Sequence, residues 1–166
     1  MIYLRAADEL DSGSLAELRA ASLVELDLLS GPDVDAFVVR ATREFYALFR
    51  SERIAAWIAC DADCAVASSC AVFYDRLPYP DGSRHAELCG VYVRPGYRKR
   101  GFAGELVREV VAAARAGGAR KTFLRPSKTA KSLYARVGFV ETELMTFDAR
   151  RSRTPSEPVL AAWPSR

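Results

Sequence analysis

Histidine is nearly missing from this sequence, paired cysteine knuckles are missing altogether, and no apolar run approaches the roughly 18 residues that span a bilayer. His85 is the single histidine, and alone it gives a metal site little to build on. Cys60, Cys64, Cys70 and Cys89 sit in or beside apolar, strand-like text rather than in CxxC pairs, so they are expected as buried free thiols in a reducing compartment. Net charge is scarce as well, because 24 Lys and Arg stand against 21 Asp and Glu. The chain as a whole is therefore no polycation, and any preference for an anion must come from where its charges are placed. The opening "MIYLRAADEL" lacks the basic and then apolar layout of a signal peptide, so a cytoplasmic protein is expected. There is no internal repeat and no low-complexity block.

What is present suits one globular domain: half of the 166 residues are hydrophobic and 27% are charged. That domain is expected over residues 1–148, with 149–166, rich in Arg, Ser and Pro, as a poorly ordered tail. "IYLRAA" reads as an opening strand, and Leu15, Leu18, Leu23 and Leu26 then recur at helical spacing, with Asp11 or Ser12 as caps. A second helix carries Phe37, Val38, Ala41, Phe45 and Leu48 and starts near Asp33 or Asp35. Two strands turned around "DAD" form a hairpin, "PYPDGSR" is a loop, and "HAELCGVYV" is another strand, ended by Pro95 and Gly96. Phe102, Leu106, Val110 and Ala114 share one face of a helix over 101–116 that Gly117 and Gly118 stop. "ARKTFLRP" is a strand, "SKTAKSLYARV" a short helix capped by Gly138, and "FVETELMTF" a last strand. The order predicts a mixed α/β sheet.

The densest chemistry lies in "RPGYRKRGFAGEL", residues 94–106, where Arg94, Arg98, Lys99 and Arg100 precede Gly101 and Gly104. A helix starting near Gly101 leaves its first N–H groups unpaired and carries roughly half a positive charge at that end. Phosphate suits such a place, and the glycines let it approach the backbone closely. No GKS or GKT follows a GxxxxG spacing and no GxGxxG occurs, so this is neither a nucleotide-triphosphate loop nor a dinucleotide fingerprint. A solvated basic turn is the alternative.

Arg98, Gly101 and Ala103 spell R-x-x-G-x-A between a strand ending in "VYV" and an amphipathic helix. This resembles the acetyl-CoA-binding motif of the GNAT family of N-acetyltransferases, written Q/R-x-x-G-x-G/A. "AKSLYARVGF" is similar to the family's A-x-x-L-Y-x-x-x-G-F segment, with Ala130, Leu133, Tyr134, Gly138 and Phe139 in register. "AELCGVYVRPGYR" is similar to its central strand and exit. These motifs cover residues 86–139, whereas residues 1–75 match only in their order of elements.

The resemblance implies a mostly antiparallel central sheet with splayed parallel strands, flanking helices, and transfer of an acetyl group from acetyl-CoA to an amine by direct attack, without a metal. It implies that the main chain at Val91, Tyr92 and Val93 meets the pantetheine, and that an N–H near Gly90 or Val91 polarises the thioester oxygen. Gly90 is read as a bulge site. The pyrophosphate is expected on the amides of Lys99, Arg100, Gly101, Phe102, Ala103 and Gly104, with the side chains of Arg98, Lys99 and Arg100 near the phosphates. Glu87 is the implied general base, directly or through a water, with His85 as a substitute, and Tyr134 the acid that protonates the departing thiolate. Ser127 stands where many members place an Asn that touches the pantetheine arm.

The acceptor pocket is expected from the first two helices, the loop around "FYDRLPYPDGSR" and the final strand. Tyr46, Trp57, Phe73, Tyr74 and Asp75 are candidates for lining it, and each could equally be packing. The acceptor is expected to be an amine of a small molecule, peptide or protein, with no membrane partner, and the chain to be a monomer or a homodimer. Two other classes compete: an acyl-CoA-binding regulator without turnover, and a nucleic-acid module using Arg94 to Arg100 with Arg150, Arg151 and Arg153. The second lacks interleaved aromatics apart from Tyr97 and is disfavoured by the low net charge.

Overall fold

The computed structural model describes residues 1–75, 80 and 84–142. β1 (Ile2–Ala6) is followed by α1 (Ser12–Glu25), α2 (Asp33–Arg50), β2 (Ile54–Asp61), β3 (Cys64–Tyr74) and β4 (Arg84–Val93). Then come α3 (Phe102–Ala116), β5 (Ala119–Phe123) and α4 (Lys131–Val137). The expected order of elements is found as far as α4. The strand expected from Phe139 finds no support over 139–142, and beyond Thr142 both it and the tail lie outside the described residues.

The strands form one five-stranded sheet in sequence order, antiparallel except where β5 runs parallel to β4. Helices cover both faces. α1 packs Leu15 and Leu18 against Ile54, Ile58 and Cys70, while α3 packs Val107, Val110 and Ala114 against Phe73 and Leu88 on the other side. Strand alternation sorts the side chains, so Cys70 and Val72 face α1 and Ala71 and Phe73 face α3. Being covered twice, β3 is buried at almost every position, and its Ala, Ser and Cys residues leave room for both helices.

The cap expected at Asp11 or Ser12 takes a different form. Asp8 accepts the Leu10 N–H at 2.9 Å and donates its own N–H to Asp11 at 3.0 Å, closing a box on a single 3-10 turn before α1. The Asp11 carboxylate is held in a fork by Arg5, with both bonds at 2.7 Å. It thereby pins β1 to the start of α1. The thiols also depart from expectation: all four are free, but only Cys60 and Cys70 are buried. Cys64 opens β3 at the hairpin turn, and Cys89 lies on the part of β4 that β5 does not cover.

Candidate active site

β4 and β5 separate partway along β4. Their parallel ladder runs from Arg84 opposite Ala119 to Glu87 opposite Phe123 and ends there, although β4 continues to Val93. From Leu88 onward no described strand pairs with that edge of β4, so its backbone groups face an open gap. On the opposite edge, β4 bulges: Ser68 pairs with Tyr92 and Cys70 with Cys89, leaving Gly90 and Val91 against Ser69 alone. Gly90 has φ +61°, a conformation L side chains rarely adopt, and Ser68 Oγ donates to its carbonyl at 3.0 Å. The bulge reverses the alternation, turning Val91 toward α3 and Tyr92 toward α1.

The chain leaves β4 through a short turn at Pro95–Tyr97, anchored where Tyr97 donates to Asp61 at 3.0 Å. Lys99 (φ +59°) and Gly101 (φ +91°) are both left-handed, and α3 begins with no side chain capping it. The amides of Gly104 and Glu105 turn back onto the Gly101 carbonyl at 3.0 and 3.2 Å. Of the amides expected to meet a pyrophosphate, that of Gly104 is therefore bonded within the chain. A Cβ at Gly104 would make ordinary contacts, with Leu133 of α4 at 3.5 Å and Arg108 Nη1 at 3.7 Å.

Glu87 and Tyr134 lie on opposite faces of the sheet. Glu87 is exposed opposite Val72, which packs on the α1 side, whereas Tyr134 belongs to the cluster under α3. Arg84, at the start of the same strand, is bridged to Asp75 at 3.5 Å. Tyr134 is half-buried with its ring edge-on to Phe139, and burial pushes its phenol above the usual pKa, so it holds its proton. The sheet thus carries an exposed carboxylate on one face and a protonated phenol on the other, and α3 starts without a side-chain cap.

A profile of the Acetyltransferase (GNAT) family matches residues 22–139. The chain belongs to this family. No curated protein sequence matches it. Among solved structures it is similar to a predicted acetyltransferase with acetyl-CoA from Clostridium acetobutylicum, at 24% identity and TM-score 0.76, over 89% of this chain and 96% of that one. It is similar at 22% identity and TM-score 0.67 to an aminoglycoside N-acetyltransferase in complex with CoA, over 92% and 96% of the chains. A glucosamine-6-phosphate N-acetyltransferase from Arabidopsis thaliana shares 13% identity at TM-score 0.67, over 89% and 97%. At these identities the likeness establishes the GNAT fold.

Within this GNAT domain several expected side chains have other partners. Arg98 donates from Nε to the Val93 carbonyl at 2.8 Å, from Nη2 to Glu25, and lies over the Tyr92 ring at 5.7 Å. Its guanidinium is thus engaged by the end of β4 and by α1. Tyr92 is buried on the α1 side and donates its hydroxyl to Glu25 at 2.6 Å, so only its main chain is available to the gap. Arg94 leans on the Ala65 carbonyl at 3.3 Å. Lys99 and Arg100 are exposed at the turn, Arg100 lying over Tyr97 at 5.6 Å, and exposed Arg108 brings Nη1 within 3.7 Å of a Cβ built on Gly104. Ser127 is exposed and within 3.2 Å of Thr129 Oγ1.

His85 shares the face of Glu87 but is buried, stacked on Phe123 at 5.3 Å and tilted against Tyr74 at 5.9 Å. Of the acceptor-pocket candidates, Tyr74 lies on this face and Tyr46 is exposed on α2. Trp57 and Phe73 face α3 and belong to the core, and Asp75 is paired with Arg84. Two residues escape a reading by sequence alone. Cys89 sits beside Glu87, its thiol held above the usual pKa first by desolvation and then by the Glu87 charge, with Arg19 of α1 pulling the other way. Glu25 carries no motif and is found only through its partners. Among the described residues no His, Cys, Asp and Glu cluster could hold a metal ion, and no helix is long and apolar enough to cross a membrane.

Proposed function

We propose that this protein transfers an acetyl group from acetyl-CoA to a primary amine by direct attack within a ternary complex. The observation that carries the reading is the open β4 edge from Leu88 to Val93, with Glu87 and Tyr134 on opposite faces of the sheet. These residues fit acetyl-CoA: the free strand edge suits the amide-bearing pantetheine arm, and the left-handed turn with the uncapped start of α3 suits a diphosphate. Lys99 and Arg100 add charge there. Bound acetyl-CoA supplies the acetyl group as a thioester.

The chain's own residues supply the rest. The main-chain groups of Val91 and Val93 align the arm, and an N–H at the bulge, Gly90 or Val91, polarises the acyl oxygen. A preorganised donor of that kind is worth about 3 kcal/mol of barrier. Glu87 accepts a proton from the incoming ammonium, directly or through one water, because an amine is protonated at neutral pH and attacks only when neutral. Tyr134 gives its phenolic proton to the departing sulfur. His85, buried beneath Phe123, leaves the base role to Glu87.

The GNAT relatives that act on an aminoglycoside and on glucosamine-6-phosphate support an amine of a polar small molecule as the first class to try. The test follows free-thiol release from acetyl-CoA across a panel of amino sugars, polyamines, amino acids and peptides. Amine-dependent thiol release supports the reading. Tight binding of acetyl-CoA with no release for any amine favours a regulator that binds acyl-CoA without turnover.

A further inference from the structure

The contacts of Arg98 point past the cofactor. Its guanidinium is satisfied three ways: Nε on the Val93 carbonyl, Nη2 on Glu25, and its plane over Tyr92. The Glu25 carboxylate in turn takes the Tyr92 hydroxyl on its other oxygen at 2.6 Å. Together these donors hold Glu25 below its usual pKa, so it stays ionised at neutral pH. Glu25 is the last residue of α1, the helix packed on the Glu87 face, whose Arg19 charge is felt by the Cys89 thiol. Immediately beyond lies the connection to α2, with Leu26 and Leu28 exposed at 60% and 71%.

A half-exposed ion pair contributes little to stability, so a role in holding the fold together does not account for this one. Its placement does more. One carboxylate fastens the end of β4 and the first residue of the R-x-x-G-x-A motif to the end of the acceptor-side helix. We propose that Glu25 is a positioning residue: through Arg98 and Tyr92 it registers the α1–α2 connection, residues 26–32, against the cofactor loop, so that ordering of the loop on acetyl-CoA binding is transmitted to the acceptor side. Such coupling is reciprocal, so an acceptor that orders the connection tightens acetyl-CoA by the same factor. The inference rests on the proposed acetyl-CoA site and assigns the side chain of Arg98 to the strut rather than to the phosphates.

The test needs no known acceptor. Amide hydrogen exchange over residues 23–32 is followed with and without acetyl-CoA, alongside calorimetry, for the wild type, Glu25→Ala, Arg98→Ala and the double variant. The expected result is that acetyl-CoA slows exchange over this segment in the wild type and that Glu25→Ala abolishes the slowing while its Kd stays within about threefold, since each variant removes the same link. The double variant is expected to show no further change in exchange beyond Glu25→Ala. Tyr92→Phe, which removes one hydroxyl and keeps the ring, reduces the slowing in part. Tightening of acetyl-CoA by tenfold or more in Glu25→Ala overturns the proposal, because it makes Glu25 a competing anion for a phosphate-binding Arg98. Persistent slowing in Glu25→Ala overturns it too. Absence of acetyl-CoA binding in the wild type brings down the cofactor site and this inference with it; binding without any slowing over 23–32 brings down this inference alone.

Discussion

Glu87 and Phe123 are the last partners of the β4–β5 ladder, and the carboxylate that ends the pairing also borders the gap the pairing leaves open. The same strand thus presents an exposed carboxylate and, from Leu88 on, an unpaired backbone edge. Their separation is fixed by strand geometry rather than by a loop.

Replacement of Glu87 by Gln is expected to lower acetyl transfer by about 100-fold or more, the usual scale for a lost general base. The loss should shrink as pH rises toward the pKa of the acceptor amine, which then deprotonates unaided. A pH–rate profile of both proteins checks this; equal losses at every pH would mean that Glu87 does not take the proton.

Tyr134→Phe is expected to reduce kcat far more than it changes the Kd for acetyl-CoA. Burial raises the phenol's pKa, so the donor form persists through neutral and mildly alkaline pH, and Tyr134 produces no alkaline fall in rate below about pH 10. Parallel calorimetry and kinetics separate the cases: an equal fall in both quantities would make Tyr134 a cofactor contact.

Gly101→Glu is expected to abolish acetyl-CoA binding by placing a carboxylate at the uncapped start of α3. Gly101→Ala should act more mildly. Space is available, because the nearest atom to an added Cβ is Glu105 Oε1 at 3.9 Å, but φ +91° is strained for alanine and costs about 1–3 kcal/mol. Thermal melts and calorimetry distinguish backbone strain from lost anion binding.

Asp11 gives an acid-sensitive contribution to stability. Arg5 holds its carboxyl below the usual value of 3.8, against a smaller opposing effect of burial. A carboxyl depressed in the folded state stabilises it above the unfolded pKa, and this stabilisation is lost as pH falls through the lower folded pKa. Asp11→Ala is expected to lose about 1.5–3 kcal/mol at neutral pH, the range for hydrogen bonds to a charged group. Melting the two proteins between neutral and strongly acid pH should show the gap narrowing below about pH 4.

The parts legible in the sequence were those in which local pattern and local chemistry coincide. Pro95 and Gly96 end β4, R-x-x-G-x-A marks the turn into α3, and Gly90 marks the bulge, because each acts through its own backbone. Side-chain partners were less legible. Arg98 carries the motif, yet its carboxylate comes from Glu25, a pairing made only when α1 docks on the end of β4. Trp57 and Phe73 lie in strands whose alternation is plain, but alternation does not say which face α3 will cover. Cys89 reads as core because its neighbours are apolar, and it is exposed in the fold.

Titration calorimetry of the purified protein with acetyl-CoA, ATP and NAD decides whether the turn and strand edge hold acetyl-CoA. Saturable binding of acetyl-CoA and CoA is expected, with no comparable binding of the other two and loss of that binding in Gly101→Glu. Equal affinity for all three, or no binding by a folded protein, would contradict it and leave the basic loop as a solvated turn.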